Sequence, residues 1–383
     1  MKASILAQIN HFGQTPKQLF QKPHPKRRVQ NKFPSMNILS WHNVLVPQEM
    51  RTYPFPISQV VYFHEKVLAS GVNRILKPRS YKKYVAWGFP DKSLRIFSYD
   101  QDKLLSTHEG LHGNEQIQCT GISRDGRILV TGGEDGMLSV WRLQKQGVKK
   151  QHYLVLQRTL CAHTQKITCL AICQPYSLIV SGSEDCSIIL WDLSSFRYVR
   201  QLPLLPSAAS VVHVNEMTGN IVTAAGTTLA IWSINGDCLA TVNTSQLPSD
   251  MIISVTNSCF SDWIGADWLI TGHQSGSIKI WHMGHNSLDM SRVYTRSQSI
   301  PLRSLSRKSS KTDDSNPSFE KLEGKFEMTP MPEYQLTLLK VLKWHKQAVT
   351  CVHVTSDLKL LLSGDLGGHI VSWILPEDVN AER

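Results

Sequence analysis

Long hydrophobic runs are the first thing this chain of 383 residues lacks. No stretch reaches the roughly 18–20 consecutive apolar residues that a bilayer-spanning helix requires. The opening Met1-Lys2-Ala3-Ser4-Ile5-Leu6 has no extended apolar core of the kind a secretory leader needs. A cytoplasmic location is therefore expected. Paired cysteine spacing is missing too. The cysteines (Cys119, Cys161, Cys169, Cys173, Cys186, Cys238, Cys259 and Cys351) form no CxxC pair and have no companion histidine spacing. That argues against a zinc site and for reduced, mostly buried thiols acting as small hydrophobes. There is no Walker loop, no GxGxxG turn and no HExxH helix, so no cofactor or metal is expected.

What is present is enough apolar material, 41% of residues against 19% charged, to bury a sizeable core. The formal net charge of +11 is carried largely by three stretches, Lys22 to Lys32, Arg74 to Lys83 and Arg292 to Lys311. The first and third have the composition of linkers. The middle one, with Arg74, Lys77, Arg79, Lys82 and Lys83, is a candidate basic interaction loop that would attract phosphate-rich partners, RNA or anionic lipid. Aromatic residues are not interleaved with these charges as base stacking requires, so a solvated surface is the favoured reading and ribonucleoprotein binding the alternative.

Internal repetition carries most of the information. The run Thr131-Gly132-Gly133-Glu134-Asp135-Gly136-Met137-Leu138-Ser139-Val140-Trp141 aligns without a gap on Ser181-Gly182-Ser183-Glu184-Asp185-Cys186-Ser187-Ile188-Ile189-Leu190-Trp191. The same frame fits Trp87 to Phe97, Thr271 to Trp281 and Ser363 to Trp373, and Thr223 to Trp232 with one residue fewer. Each unit reads as an apolar strand, a tight Gly/Asp/Ser turn and an alternating strand ending on an aromatic. The aromatic anchors recur about every 40–50 residues, the period of a propeller blade.

An all-β propeller with six recognisable blades follows, occupying residues 35–383. Residues 286–332, rich in Ser, Lys, Arg and Pro without apolar periodicity, read as a disordered insertion. Strand-like segments within Met36 to Leu68 (Asn37 to Trp41, Ser58 to Phe63) either build a seventh blade or complete the last one. After Trp373-Ile374-Leu375 too little chain is left for an outer strand, and a terminal strand would remove an exposed edge.

These residues resemble WD40 repeats. Trp191-Asp192 is the dipeptide that names them, and Ala162-His163 stands where Gly-His is usual. The resemblance implies a buried network of histidine, strand hydroxyl, turn aspartate and tryptophan in each blade. His163, Ser181, Asp185 and Trp191 match it, as do His112, Thr131, Asp135 and Trp141. Elsewhere the match is partial. Asp91 keeps the turn acid, Ser275 and Gly367 stand in its place, the blade around Trp232 has neither His nor Asp, and His345 keeps its position. A recurring Ser/Thr-His-Asp trio also invites a hydrolase reading, but a nucleophile must be exposed, and recurrence with the blade period favours a structural clamp.

The N-terminal segment Ser4-Ile5-Leu6-Ala7-Gln8-Ile9-Asn10-His11-Phe12-Gly13-Gln14-Thr15-Pro16-Lys17-Gln18-Leu19-Phe20 resembles the last helix and tail of a BEACH domain, where an FGQTPxQLF element precedes a WD-repeat module. Lys83 to Asp91 and Gln246 to Asp250 are similar to segments of plant BEACH/WD-repeat proteins of the SPIRRIG-like group, related to the animal ALFY group. Residues 1–34 are accordingly expected to be a BEACH tail and linker. Its helix of about eight residues, Lys2 to Asn10, is too short to stand alone, and the alternative is an ordinary N-terminal arm with a nuclear-localisation-like run Lys26-Arg27-Arg28. The resemblance implies that the chain is either the C-terminal piece of a far larger protein or a truncated gene product. It further implies a non-catalytic scaffold that binds proteins through propeller loops, has a BEACH domain as partner in the parent, and acts in vesicle or endosomal trafficking or selective autophagy. Peripheral association with endosomal membranes follows from the same likeness. Ser306 and Ser310, within Arg303 to Ser310, are candidate phosphorylation sites for a basophilic kinase.

Overall fold

The computed structural model describes residues 47–63, 66–71, 74–76, 83–98, 101, 103–146, 151–258, 268–285, 334–355 and 360–374. These form only β-strands and turns, arranged in six four-stranded antiparallel sheets and one two-stranded sheet. Listed from the inner strand outwards, blade I holds Arg74–Leu76, Lys83–Trp87, Leu94–Ser98 and Lys103–His108. Blade II holds Ile117–Ile122, Ile128–Gly133, Met137–Gln146 and Gln151–Cys161; blade III holds Ile167–Cys173, Leu178–Ser183, Ile188–Asp192 and Tyr198–Gln201. Blade IV runs from Ala209–Val214 through Ile221–Ala225 and Thr228–Trp232 to Cys238–Asn243. Blade V consists of Ile252–Ser258, Trp268–His273, Ser277–His285 and Tyr334–Lys343, with residues 286–333 between its last two strands.

Blade VI takes Val349–Val354, Leu360–Asp365 and His369–Ile374 from the end of the chain and its outer strand, Pro47–Thr52, from near the beginning. The pairing runs antiparallel from Pro47 opposite Trp373 to Thr52 opposite His369. Of the stretch Met36 to Leu68, Asn37 to Trp41 lies outside the described residues, Pro47–Thr52 supplies this closing strand, and the end builds the two-stranded hairpin Gln59–Phe63/Lys66–Ser70, so that a hairpin stands where a seventh blade was expected. The six blades anticipated from the anchors are all present as four-stranded sheets.

The reason for the strand patterning is visible in the burial. Second strands are covered on both faces by neighbouring sheets, so Leu178–Ser183 and Trp268–His273 are buried at every position and their sequences read as continuous apolar runs closed by small residues. The outer strand Tyr198–Gln201 is exposed throughout. Six apolar clusters fill the spaces between successive blades, from I/II round to V/VI. The sixth runs from Leu362 and Ile370 of blade VI through Val60, Val67 and Ala69 of the hairpin to Tyr84 and Phe97 of blade I, so the hairpin completes the VI/I interface.

Two repeated devices bind blade to blade. The second-strand glycine lets the next inner strand approach: a Cβ on Gly132 would lie 2.7 Å from Ile167 Cγ2, and one on Gly364 2.7 Å from Ile57 Cγ2. Inner-strand hydroxyls then donate to the following blade's backbone, Thr168 Oγ1 to Ala209 O at 2.6 Å, Ser210 Oγ to Ile252 O at 2.9 Å and Ser254 Oγ to Val349 O at 3.2 Å. Thr350 Oγ1 donates likewise to Ile57 O and ties blade VI to the segment leading into the hairpin. In blades I to V the register to the outer strand shifts just before the anchor, at Ile96/Phe97, Val140/Trp141, Leu190/Trp191, Ile231/Trp232 and Ile280/Trp281. This bulge recurs with the repeat itself.

Turns between second and third strands meet the loops that enter their own blades, through Glu134 N to Gln116 O (3.2 Å), Glu184 N to Lys166 O (3.1 Å) and Leu366 N to Ala348 O (3.1 Å), and the blade III turn also meets the loop that enters blade IV, through Leu205 N to Cys186 O (3.0 Å). These turns and loops make up one face of the disc, called the loop face below.

Candidate functional site

In blade II the expected tetrad is assembled. His112 Nδ1 lies 3.0 Å from Asp135 Oδ2 and its Nε2 2.8 Å from Thr131 Oγ1, while Trp141 Nε1 donates to Thr131 Oγ1 at 2.9 Å. With Nδ1–H given to the carboxylate, Nε2 accepts the threonine proton and the hydroxyl oxygen accepts the indole N–H, a one-directional chain. In blade III His163 Nε2 is 2.8 Å from Ser181 Oγ, which also accepts Trp191 Nε1 at 2.9 Å. Its Nδ1, however, meets Ser187 Oγ at 2.8 Å, and Asp185 stands behind at 3.4 Å. Asp185 is held in turn by Ser187 and by Thr164 N at 2.9 Å. Ser187 is therefore a member of the network that the four-residue pattern does not include.

Blade VI corrects the sequence reading. Gly367 stands at the turn position where an acid was sought, yet the network is complete: Asp365, at the end of the second strand, takes His345 Nδ1 at 2.8 Å, and His345 Nε2 meets Ser363 Oγ at 2.8 Å, which accepts Trp373 Nε1 at 2.9 Å. Asp365 is 1% exposed and also accepts His369 N at 2.8 Å. The carboxylate moved two residues upstream, a shift that a fixed alignment frame cannot see.

Blade V builds the same chain from exchanged places. Its histidine, His273, is on the second strand itself, 2.9 Å from Thr271 Oγ1, which accepts Trp281 Nε1 at 3.1 Å. The acid, Asp250, comes from the entering loop, where blades II, III and VI keep the histidine; His273 Nδ1 donates to its backbone carbonyl at 3.4 Å, with the carboxylate Oδ2 at 3.6 Å. The buried Lys279 donates to Asp250 Oδ2 at 3.1 Å and to Thr244 O at 2.7 Å, and Ser275 N donates to Asp250 Oδ1 at 3.1 Å. Blade IV has only the last link, Trp232 Nε1 to Thr223 Oγ1 at 2.9 Å. In blade I Asp91 binds Ser93 and Arg95. The hydroxyl position is taken by Trp87, whose buried indole N–H has no partner, and the anchor is Phe97, stacked on Tyr84 at 5.0 Å.

Electrostatics follow the burial. Desolvation holds His163, His273 and His345 below the usual histidine range, opposed in each case by the facing carboxylate. Burial by itself would raise Asp185 and Asp250. Hydrogen bonds from Ser187 and Thr164 to the former, and from Ser275 and Lys279 to the latter, outweigh it and bring both to about 2. The hydroxyls of Thr131, Ser181, Thr271 and Ser363 belong to residues that are 0% exposed, so none can meet a substrate as a nucleophile.

The remaining candidate residues divide between described and undescribed parts of the chain. Arg74 is exposed but its Nη1 donates to Gln118 O of blade II at 2.8 Å. Lys83, half-buried, contacts His152 Nε2 of the blade II hairpin. These two basic residues are thus part of the I/II seam. Lys77, Arg79, Lys82, Ser306 and Ser310 lie outside the described residues, as do the tail 1–34 and Cys259. Of the other cysteines, Cys119, Cys169, Cys173 and Cys351 are buried, while Cys161 and Cys238 are exposed. Burial pushes the Cys119 thiol far above the usual range, and Cys169 and Cys351 up to about 12, so these three stay protonated. Among the described residues no group of His, Cys, Asp and Glu could hold a metal ion, and no helix is long and apolar enough to cross a membrane.

Comparison with known proteins agrees with this architecture. The profile of the Neurobeachin beta propeller domain matches residues 57–306, and that of the WD domain, G-beta repeat, residues 336–373. The chain is 55% identical over 378 residues to Protein SPIRRIG of Arabidopsis thaliana and 54% identical over 380 residues to BEACH domain-containing protein A2 of the same plant; each alignment covers 99% of this chain and 10% of the relative. WD repeat- and FYVE domain-containing protein 4 of Mus musculus is 29% identical over 404 residues, 97% of this chain and 12% of its own. The chain thus spans about a tenth of the length of the curated relatives it matches. A chain in the crystal structure of a Mitotic Checkpoint Complex superposes with a TM-score of 0.60 at 13% identity, covering 91% of this chain and 100% of that one, a likeness of fold alone. The family profile, identity above half over nearly the whole of this chain and the tryptophan networks of blades II to VI lead to one conclusion: this chain belongs to the neurobeachin-type WD-repeat β-propellers of BEACH-domain proteins.

Proposed function

We propose that this propeller is a non-catalytic protein-interaction scaffold and that it serves a BEACH protein in vesicle or endosomal trafficking or in selective autophagy. One observation carries the non-catalytic reading: every hydroxyl–histidine–carboxylate set points inward and ends on a buried tryptophan, so this polar chemistry is used to fix loops. A rigid loop face loses little conformational entropy when a partner docks. The trafficking or autophagy role rests on the BEACH and WD-repeat relatives. In this reading the chain acts in the cytoplasm, peripheral to endosomal membranes, with a BEACH domain as its neighbour in the parent. Phosphorylation at Ser306 and Ser310 would reverse local charge and regulate a contact.

An affinity capture with the full chain from native cytosol, at low and high salt and with nuclease, tests this. Salt-resistant, nuclease-insensitive recovery of trafficking or autophagy proteins is expected. Recovery dominated by RNA-binding proteins and abolished by nuclease would replace the proposal with ribonucleoprotein binding.

A further inference from the structure

On the scaffold reading just given, the loop face should carry a place where a partner is held, and its chemistry is uneven. The two most exposed large apolar side chains among the described residues are Leu204, 68% exposed, and Leu247, 66% exposed. Both belong to entering loops, Leu204 between blades III and IV, Leu247 between blades IV and V, and both loops flank the same turn. Thr244 N donates to Thr227 O at 2.9 Å and Ile252 N to Gly226 O at 2.8 Å on one side. A Cβ on Gly226 would lie 3.2 Å from Ser207 Oγ on the other. Pro206, Pro248 and Met251 are exposed beside them.

Neither leucine is on loose chain. Leu202 and Leu205 are buried on either side of Leu204, and Leu205 N is bonded to Cys186 O. The Leu247 loop is fastened by Asp250 N to Leu247 O at 3.0 Å and, from beneath, by the buried Lys279 reaching Thr244 O and Asp250. Displaying leucines in water on a fixed frame costs solubility and is what an anchor pocket for a partner needs.

Along the same face, towards blades I and II, the character changes to acidic. Glu109 and Glu115 lie on the loop entering blade II, and Glu134 is on its turn, joined to that loop through Gln116 O. Among the described residues no ion pair involves these three, although Gln118 Nε2 donates to Glu134 Oε1 at 2.6 Å, whereas Glu184, nearer the leucines, is paired with Lys166 at 3.3 Å. The one cation on the neighbouring blade I turn, Lys92, is directed at Asn114 O. An acidic arc on a chain of net charge +11 is a local contrast with the whole.

We infer that the loop face over blades II to V binds an extended protein segment that carries Lys or Arg at one end, for the Glu109/Glu115/Glu134 arc, and large apolar side chains at the other, for the Leu204/Leu247 patch. An anionic membrane would also accept leucines, but the carboxylates repel its headgroups, so a basic–apolar peptide is the occupant.

The test is selection of a random peptide display library on the full chain, followed by fluorescence anisotropy of the selected synthetic peptides. Expected are sequences pairing a Lys/Arg cluster with Leu or Phe. Their affinity should fall roughly tenfold or more both for Leu204→Ser/Leu247→Ser and for Glu115→Gln/Glu134→Gln, and the acidic variant should lose most of the salt dependence. All four positions are exposed, so the variants should unfold at the parent temperature, and charge-reversed Glu134→Lys gives a second probe. Selected peptides that bind the variants unchanged, or that are acidic, overturn the proposal. So does Leu204-dependent sedimentation with phosphatidylserine vesicles, which would make the patch a membrane anchor. If proteins captured from cytosol are lost with none of these variants, the scaffold reading stands while this surface is refuted; if nothing is captured and nothing selected, both fall.

Discussion

Blades V and VI solve one problem with their parts exchanged. In blade VI the entering loop brings the histidine and the second strand brings the acid; in blade V the loop brings Asp250 and the strand brings His273. Each chain ends on a strand hydroxyl and an indole N–H. What the fold requires is that a buried polar chain fasten the entering loop to the second strand, whichever end supplies the charge. Blade V adds a cost, because its acid faces both a histidine and the buried Lys279, and removing that acid strands a cation.

The largest effect should therefore come from Asp250→Ala, which leaves Lys279 buried without its counter-charge. A loss of about 3 kcal/mol is expected in chemical denaturation followed by tryptophan fluorescence. Adding Lys279→Met should recover a good part of it, and if the double variant is no better than the single, the stranded cation is not the cause. Next comes His345→Ala in blade VI, where His345 and Asp365 are both buried: about 2 kcal/mol. The same change at His163 should cost about 1 kcal/mol, because His163 reaches Asp185 only at 3.4 Å and Ser187 and Thr164 hold that carboxylate, whereas Asp365 loses a direct 2.8 Å bond and keeps His369 alone. Equal costs at both positions would erase the distinction drawn between them.

Acidification separates the blades differently. His163, His273 and His345 have folded pKa values below the ordinary 6.5, so the unfolded chain takes up protons first. Stability is complete above pH 6.5 and declines as pH falls towards the folded values. Asp185 and Asp250 add stability that is full above 3.8 and lost as pH approaches about 2. Amide exchange should quicken in blades III, V and VI as pH falls below 6.5, beyond the intrinsic pH dependence of exchange, and less in blade IV, whose Thr223–Trp232 link has neither group. Uniform loss across the ring would contradict the assignment. The smallest effect belongs to blade I. Trp87→Phe deletes an indole N–H that has no partner and should change stability by no more than about 1 kcal/mol, whereas Trp141→Phe breaks the Thr131 bond and should cost about 2 kcal/mol.

The legibility of this molecule varied with how far chemistry stayed tied to spacing. The aromatic anchors and the turn glycines recur in fixed register, so six blades and the networks around Trp141 and Trp191 were readable from residues alone. Asp365 was missed because the acid left the turn for the strand end, and geometry tolerates what an alignment frame does not. His273 and Asp250 were missed because their roles were traded between strand and loop. The last blade was ambiguous for a topological reason: its strands come from opposite ends of the chain, and no local period reports that Pro47 pairs with Trp373. Arg74 and Lys83 looked like a free basic loop because sequence shows charge and not the carbonyl or imidazole that receives it.

The seam in blade VI has a mechanical meaning. Pro47 lies opposite Trp373 at one end of an antiparallel pair, so a load applied across the two chain ends meets one ladder bond at a time instead of shearing them together. Such a ring should open by unzipping Pro47–Thr52 at low force while blades I to V stay folded. Tension transmitted from whatever precedes residue 47 would be felt first, and nearly alone, by the strand that closes the circle.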